Sequence, residues 1–215
     1  MIITNESINE MKKKLAVAEE IIESDLACQL KSIGFECIRC GECCRSFSGD
    51  NRVIIFPGEV RKIIKTNKLN WNDVCKPSIP LFIDDTGILH AFEWELNRHE
   101  SGDCVFLNDN YTCKIYDQRP WICRTYPFYL VFENGDPNLM VSDCQGFGGS
   151  INGNEALELA MLLKKRLVEE IREEVQVLKN LENYDNWNLI RDHSQLDMKK
   201  KSRIAVHDSA GIHIC

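Results

Sequence analysis

The sequence lacks the features of a membrane-spanning or secreted protein. Its longest uninterrupted apolar stretches are only a few residues, far short of the roughly 20 that cross a bilayer. Residues 1–6 show no charged segment followed by an apolar one, which is the pattern of a secretory signal. We therefore expect a cytoplasmic protein that does not enter a membrane. In that compartment cysteines stay reduced or bind metal rather than form disulfides.

Basic residues are in the minority, and familiar catalytic motifs are missing. The chain has 26 Lys and Arg against 33 Asp and Glu, so its formal net charge is −7. Without a general basic surface to neutralise phosphates, we expect no binding to nucleic acid. The five histidines form no H-E-x-x-H pair, and no serine stands in a G-x-S-x-G elbow. The sequence gives no direct indication of a catalytic residue.

Cysteine is abundant, with eleven residues in the chain. The first group is the C-x2-C-x2-C-C cluster of Cys37, Cys40, Cys43 and Cys44. Its first three members repeat the spacing of a bacterial ferredoxin run, although the fourth cysteine and the proline of that run are not at the expected spacing. Because neighbouring side chains diverge, Cys43 and Cys44 would reach one tetrahedral ion only with strain. The pattern favours a polynuclear cluster or two ions over a single zinc.

The second group is Cys104, Cys113, Cys123 and Cys144, with gaps too wide for a local knuckle. These thiols need tertiary folding to converge. The predicted metal ligands are therefore the eight cysteines Cys37, Cys40, Cys43, Cys44, Cys104, Cys113, Cys123 and Cys144.

Three other cysteines and four histidines are weaker candidates. We expect Cys28 and Cys75 to be packing residues on helices. Cys215, with His207 and His213, is a candidate additional site, and His90 and His99 are candidate neighbours of the second group.

Four arginines lie close to the predicted ligands in sequence. Arg39 and Arg45 flank the first group, and Arg119 and Arg124 bracket Cys123. Four thiolates on a divalent ion leave a net negative charge, so guanidinium groups nearby would lower its electrostatic cost and raise a cluster's reduction potential. We take these arginines as candidate cofactor-binding residues, with ordinary surface salt bridges as the alternative.

The expected fold is α+β, in one metal-stapled domain spanning residues 1–215. A loop-rich cysteine centre with short strands, about 35–149, is flanked by two long helices at about 8–33 and 153–181. The first helix follows Ser7-x-x-Glu10 and closes at Gly34, and the second opens at Asn152-x-x-Glu155. A strand near 52–56, helices near 57–66 and 71–75, and a turn at 84–87 are also predicted. The tail, 198–215, begins with the basic run Lys199–Lys201.

The central segment resembles the YkgJ-type CxxCxxCC cysteine-cluster family, a zinc- or iron-chelating domain. The resemblance runs from about Phe35 to Gly149 and rests on the first cysteine cluster, on Cys104-Val-Phe-Leu, on Cys113-Lys-Ile-Tyr through Arg119-Pro and Cys123-Arg to Tyr126-Pro-Phe, and on Cys144-x-Gly146. It implies metal chelation by the eight cysteines, and some members are linked to lysine N-methylation of flagellin.

Three functions remain open from the sequence. The first is an iron–sulfur protein holding one or two clusters, of the 4Fe–4S kind, in electron transfer or a redox-linked maturation step. The second is a zinc-stabilised module that uses its amphipathic helices to bind a protein partner, whose identity the sequence leaves open. The third is an S-adenosylmethionine-dependent protein lysine methyltransferase, for which Gly146-Phe-Gly-Gly149 is a poor substitute for a glycine-rich cofactor loop.

Overall fold

The computed structural model describes residues 5–45, 52–80, 82–181, 187–190 and 203–215. The chain is α+β, as the sequence predicts. Its helices are α1 (Asn5–Glu19), α2 (Glu23–Ile33), α3 (Pro57–Asn67), α4 (Trp71–Val74), α5 (Trp121–Thr125) and α6 (Gly153–Leu181). Its strands are β1 (Ile54–Ile55), β2 (Cys75–Pro77), β3 (Phe82–Asp84), β4 (Leu89–Ala91), β5 (Trp94–Leu96), β6 (Phe128–Glu133), β7 (Asp136–Val141), β8 (Trp187–Leu189), β9 (Ile204–Asp208) and β10 (Gly211–Ile214). None of the described helices has the length and apolar character to cross a membrane.

The elements separate into two compact units. Unit 1 comprises residues 1–9, 52–97 and 173–215, and unit 2 comprises residues 10–51 and 98–172. The single domain expected over the whole chain stays a prediction. Unit 2 carries all eight of the predicted metal ligands.

Unit 2 is organised by an apolar cluster contributed by α2, β6 and the first half of α6. Its buried members are Leu26, Ala27, Leu30, Phe128, Ala156, Ala160 and Leu163. Phe35 and Phe147 pack against this cluster, and their rings lie edge to face with Phe128 and with each other, with centroids 5.4–6.4 Å apart. This packing fixes Phe35, just before the first cysteine loop, beside Phe147, just after Cys144.

The predicted start of α6 is confirmed. The Asn152 side-chain oxygen accepts hydrogen bonds from the N–H groups of Asn154 and Glu155, both at 3.0 Å, and the Glu155 carboxylate accepts from the Asn152 N–H at 2.9 Å. This reciprocal pair is a capping box, which satisfies N–H groups that the first helical turn leaves without partners.

The single amino-terminal helix expected over 8–33 is wrong, because the chain breaks between α1 and α2. At the end of α1 the N–H of Glu20 bonds to the carbonyl of Val17, so the last turn tightens. The Ile21 carbonyl instead accepts a hydrogen bond from the Lys164 ammonium at 2.8 Å, and Lys164 also pairs with Glu23 at 2.9 Å. The apolar periodicity continues across the break, so no local signal in the sequence marks it. Helix α1 already begins at Asn5, so Ser7 lies inside it.

Unit 1 is built from two small sheets. One has the strand order β10-β9-β4-β3-β8, in which only β4 and β9 are parallel, and the other has the order β1-β5-β2. The predicted strand, helices and turn between 52 and 87 are confirmed, and Asp84 accepts hydrogen bonds from the N–H groups of Thr86 and Ile88, both at 2.9 Å. The apolar tail forms the β9–β10 hairpin, whereas Lys199–Lys201 lies outside the described residues.

A buried histidine pair joins β4 to β9. The distance from His90 Nδ1 to His207 Nε2 is 2.8 Å, and His90 Nε2 lies 3.2 Å from the Asp84 carboxylate. The Phe92 ring stacks on His207 with centroids 5.4 Å apart. Burial and the neighbouring His90 lower the pKa of His207 to about 4. The fold therefore favours a neutral His207.

We predict that acidification destabilises unit 1 through His207. The unfolded chain binds a proton there at an ordinary pKa of about 6.5, whereas the folded chain binds it only near pH 4. This contribution is complete above pH 6.5 and is lost as the pH falls toward 4. We expect a decrease on the order of 2 kcal/mol in the free energy of unfolding between about pH 7 and 4.5, measured by urea denaturation. His207→Phe should flatten that part of the profile and His99→Ala should not; an equally steep profile in His207→Phe would contradict the assignment.

Candidate metal centre

The first cysteine loop is a tight turn shaped by left-handed backbone. Arg39 has φ 55° and Gly41 has φ 76°, and a short 3-10 turn over Glu42–Cys44 follows. The Cys44 N–H bonds to the Gly41 carbonyl at 2.9 Å. A Cβ at Gly41 would lie 2.5 Å from the Tyr111 carbonyl oxygen, so only glycine fits both the φ angle and the space. The loop thereby packs its Gly41 backbone against Tyr111, in the segment that leads to Cys113.

Cys144 joins the first loop rather than the other members of its sequence group. Phe35 and Phe147 form an isolated antiparallel bridge, and the Glu36 N–H donates to the Gly146 carbonyl at 3.0 Å. The Gly146 N–H lies 3.4 Å from the Cys144 sulfur and donates to it. Burial raises the pKa of Cys144, and the neighbouring thiols of Cys40, Cys37 and Cys43 raise it further. Backbone pairing thus brings Cys144 to Cys37 and Cys40.

Cys104 meets the other end of the loop. Its N–H donates to the Cys44 carbonyl at 2.8 Å, and Arg98 holds the same carbonyl at 3.4 Å. A hydrogen bond from the Cys44 thiol lowers the pKa of Cys104 to about 7. The Cys43 and Cys44 sulfurs are 4.0 Å apart, and the same thiol lowers the pKa of Cys43 to about 7. Cys44 therefore lies between the thiols of Cys43 and Cys104, and its hydrogen bonds favour their thiolate forms.

Cys113 and Cys123 complete this second set. An antiparallel bridge between Leu107 and Cys113 folds the chain back, and α5 carries Cys123 in its middle turn. Burial raises the pKa of Cys123, and the thiols of Cys104, Cys43 and Cys113 raise it further. The electrostatic neighbours of the thiols fall into two sets. Cys40, Cys37 and Cys43 act on Cys144, whereas Cys104 and Cys43 act on both Cys113 and Cys123. Cys44 contacts Cys43 and Cys104, so Cys43 is close to both sets.

Cationic side chains surround the sulfurs, though not always as the sequence suggested. The charge of Arg119 helps to lower the pKa of Cys43, after the larger effect of the Cys44 thiol. Its guanidinium lies 3.6 Å from the centroid of the Tyr116 ring, and that of Arg39 lies 4.4 Å from the same centroid.

The other two predicted arginines are placed differently. Arg45 is 4.6 Å from the Tyr111 centroid and forms an ion pair with Glu42 at 3.0 Å. Arg124 is exposed and lines a shallow groove along α6. The role of all four in holding a cofactor stays a prediction.

The cysteine sulfurs suit a soft metal, although the described residues are not arranged in a preformed coordination geometry. Among the residues that the structure describes, no three His, Cys, Asp or Glu side chains are arranged to hold an ion, and the cysteines are free thiols. Thiolates select zinc, copper(I) and iron–sulfur clusters. Because eight sulfurs exceed the four that one tetrahedral ion takes, the set fits two ions or a polynuclear cluster. Binding would have to displace the thiol protons and draw the sulfurs inward.

A family model places this cysteine arrangement among known sequences. The model, named CxxCxxCC and described as "Putative zinc- or iron-chelating domain", matches residues 36–145. The chain belongs to this family.

One curated relative in Methanocaldococcus jannaschii, named "Uncharacterized protein MJ0661", is 30% identical over 107 residues, which are 49% of this chain and 51% of that protein. The chain thus spans about half the length of this relative. No solved structure matches significantly.

The remaining predicted candidates lie elsewhere in the CxxCxxCC-family chain. Cys75 is buried, as expected of a packing residue, but it begins β2 and does not lie on a helix. Cys28 lies on α2 as expected, but it is exposed, so its predicted packing role is wrong. His90 and His207 bond to each other in unit 1, and His213 pairs with Asp208 at 3.0 Å. The additional site of His207, His213 and Cys215 is not formed among the described residues.

Two residues close to the sulfurs escaped the sequence analysis. The charges of Arg98 and Lys114 contribute to lowering the pKa of Cys104, after the Cys44 thiol and a backbone N–H. Arg98 also donates to the Gly102 carbonyl at 2.7 Å, so it connects the strand-like segment before Cys104 to the first loop. Arg98 lies six residues before Cys104 and no motif marks it, whereas Lys114 directly follows Cys113 and could have been found from that position.

We predict that Gly146→Ala separates Cys144 from the first loop. The added Cβ would collide with the Glu36 carbonyl and come within 2.9 Å of the Phe35 ring, so the backbone must shift. Overpacking of this kind costs about 1–3 kcal/mol in free energy of unfolding, measurable by denaturant titration, and should weaken metal retention. Gly153→Ala is the matched control, since its added Cβ meets nothing within 4 Å. Equal stability and metal content in the two variants would contradict the prediction.

Proposed function

We propose that this chain is an iron–sulfur protein that holds one or two clusters, of the 4Fe–4S kind, on its eight cysteines. The observation that carries the proposal is the convergence of two sequence groups of thiols around Cys43. Family membership supports chelation of zinc or iron, and the iron–sulfur assignment goes beyond it. The clusters would serve electron transfer or a redox-linked maturation step.

The ligands of the two proposed centres mix the sequence groups. Cys37, Cys40 and Cys144 would hold one centre, with Cys43 in reach as a fourth ligand. Cys44, Cys104, Cys113 and Cys123 would hold the other. Adjacent residues Cys43 and Cys44 would then serve different centres, which removes the strain of bringing both to one ion. Two centres in such proximity are suited to passing single electrons.

Charge and exposure around the sulfurs support a redox role. Arg119, Arg98 and Lys114 already act on the thiols electrostatically. Positive charge and N–H groups directed at sulfur, as Gly146 provides for Cys144, favour the reduced form of a cluster and raise its potential. Cys37 and Cys43 are exposed, so one side of the first loop is open to a redox partner.

A protein partner would meet this open side of the first loop. Ile38 is 56% exposed and Arg39 is exposed, both within the loop. An apolar side chain next to a cation, above the ligand sulfurs, suits a transient contact with another protein. We also propose that the metal stabilises the loop-rich segment 35–149, since binding free energy there contributes to folding.

Zinc is the second candidate, favoured by the shape of the first loop. A left-handed Gly41 directly after Cys37-x2-Cys40 gives the turn of a zinc knuckle, and the Gly146 N–H on Cys144 suits a zinc thiolate equally. Eight thiolates would complete two four-cysteine zinc sites. In that case the protein would be a stabilised binding module without redox chemistry.

We predict that protein purified without oxygen is brown and contains iron and acid-labile sulfide in near-equal amounts. Metal and sulfide analysis, with electron paramagnetic resonance of the reduced protein, is the measurement. Colourless protein with about two zinc ions per chain and no sulfide would replace the iron–sulfur proposal with the zinc module.

The mixed ligand sets predict which cysteine substitutions have the same effect. Cys37→Ser and Cys144→Ser should remove the same spectroscopic component, and Cys104→Ser and Cys123→Ser should remove the other, because a hydroxyl is a poor ligand for a soft metal. Cys28→Ser is the control and should keep full metal content.

If Cys144→Ser instead removed the component lost in Cys104→Ser, the ligands would follow the sequence groups and the mixed sets would be wrong.

A further inference from the structure

The side chain of Arg166, on α6, contacts α5, the helix that carries Cys123. Its Nη1 donates to the Thr125 hydroxyl at 2.9 Å, and that hydroxyl donates to the Trp121 carbonyl at 3.0 Å. Thr125 is fully buried, and the Arg166 side chain is 14% exposed. A buried chain of hydrogen bonds therefore runs from α6 through the last residue of α5 to its first.

Helix α5 needs such external support. It has five residues, Trp121–Thr125, far fewer than an isolated helix requires to be stable in water. Its own backbone contributes few bonds, among them those from the Arg124 N–H to Pro120 and from the Tyr126 N–H to Ile122. The orientation of α5 therefore depends on tertiary contacts.

Rotation of α5 about its axis decides where the Cys123 sulfur lies. Successive residues of a helix are about 100° apart, so Cys123 and Thr125 are on roughly opposite sides. A contact that holds Thr125 on one side thus fixes Cys123 on the other. Because Cys123 and Thr125 belong to the same helical turn, the backbone of α5 links the position of one to that of the other.

Arg166 is itself held in position. Its Nε pairs with the Glu170 carboxylate at 2.6 Å, one turn further along α6. This bond orients the planar guanidinium so that Nη1 meets Thr125, which a lysine ammonium would not reproduce. The neighbouring Lys165 lies 5.0 Å from the centroid of the Trp121 ring, so α6 contacts both ends of α5.

We propose that Arg166 is a positioning residue of the metal centre, which through Thr125 sets the rotation of α5 and directs Cys123 toward Cys104 and Cys113. This inference rests on the proposed metal-binding function. It extends the centre beyond the residues 36–145 that the family model matches, because Arg166 and Glu170 lie outside them. Arg166 would act on the metal only through Cys123, without touching it.

The test compares Arg166→Met and Thr125→Val with the control Arg172→Met. Valine keeps the shape of threonine but lacks the hydroxyl, and methionine keeps much of the length of arginine but lacks the donors. Arg172 is on the same helix and pairs with Glu19 at 2.7 Å and Glu169 at 2.8 Å, with no α5 partner among those contacts. Metal loss to a competing chelator and the visible circular dichroism of the loaded protein are measured.

Arg166→Met and Thr125→Val should each speed metal loss by about tenfold or more, as loss of an outer-shell partner typically does. Both should change the spectral component that Cys123→Ser changes and leave the component assigned to Cys37 and Cys144 unchanged. The Arg172→Met protein should keep the wild-type spectrum and rate of metal loss. The double variant should be no worse than either single one, since both cut the same link. Wild-type metal retention and spectrum in both single variants would overturn the proposal.

Hydrogen exchange of the metal-free chains separates this inference from the proposed function. The Arg124 and Tyr126 amides should exchange faster in Arg166→Met and Thr125→Val than in Arg172→Met. If the wild-type chain held no metal, the proposed function would fail, and with it the role of Arg166 at a metal centre. If the wild-type chain held metal and these amides exchanged at unchanged rates, only the positioning role would fail.

Discussion

The clustering of cysteine thiols near Cys43 is the constraint on which unit 2 depends. Thiolates repel one another at short distance, and buried thiols resist ionisation, so such an arrangement is unfavourable without a cation. The burial that raises the pKa of Cys123 and Cys144 shows that cost. Backbone hydrogen bonds hold the segments together despite this cost, from the Cys104 N–H to the Cys44 carbonyl and from the Glu36 N–H to the Gly146 carbonyl. A bound metal would turn the same proximity into a stabilising interaction.

The two ends of the cysteine segment are held by an apolar clamp. Phe35 and Phe147 bracket the segment and pack on Phe128, which belongs to the core formed with α2 and α6. The positions of Cys37 and Cys144 therefore follow from the packing of rings two and three residues away. Because packed rings have few alternative arrangements, this end of the centre is defined before any metal binds. The Cys123 end is held by hydrogen bonds from α6.

Local signals in the sequence predicted much of the fold, whereas contacts between distant segments were beyond it. The capping box at Asn152 and the turn at Asp84 are short-range patterns, and both were confirmed. The break at Ile21 depends on Lys164, 143 residues later, and interrupts no apolar periodicity. The predicted ligands were visible as cysteines, but the contacts that group them were not. Spacing suggested that Cys144 belongs with Cys104, and the antiparallel bridge between Phe35 and Phe147 places it with Cys37 instead.

The segment that matches the CxxCxxCC family, residues 36–145, depends on residues outside it for its packing. After residue 145 come Phe147, the cap at Asn152, and Lys164 and Arg166 of α6, which all make contacts described above. Before residue 36 lie Leu26 and Leu30 of α2, which belong to the apolar cluster. The family pattern therefore specifies the sulfurs and the turns beside them, and flanking helices supply the packing that orients them. Relatives with different flanks would have to replace that packing. Because small displacements of ligand sulfurs alter redox potential and metal preference, variation in the flanks is one way by which members sharing the same cysteines would acquire different metals.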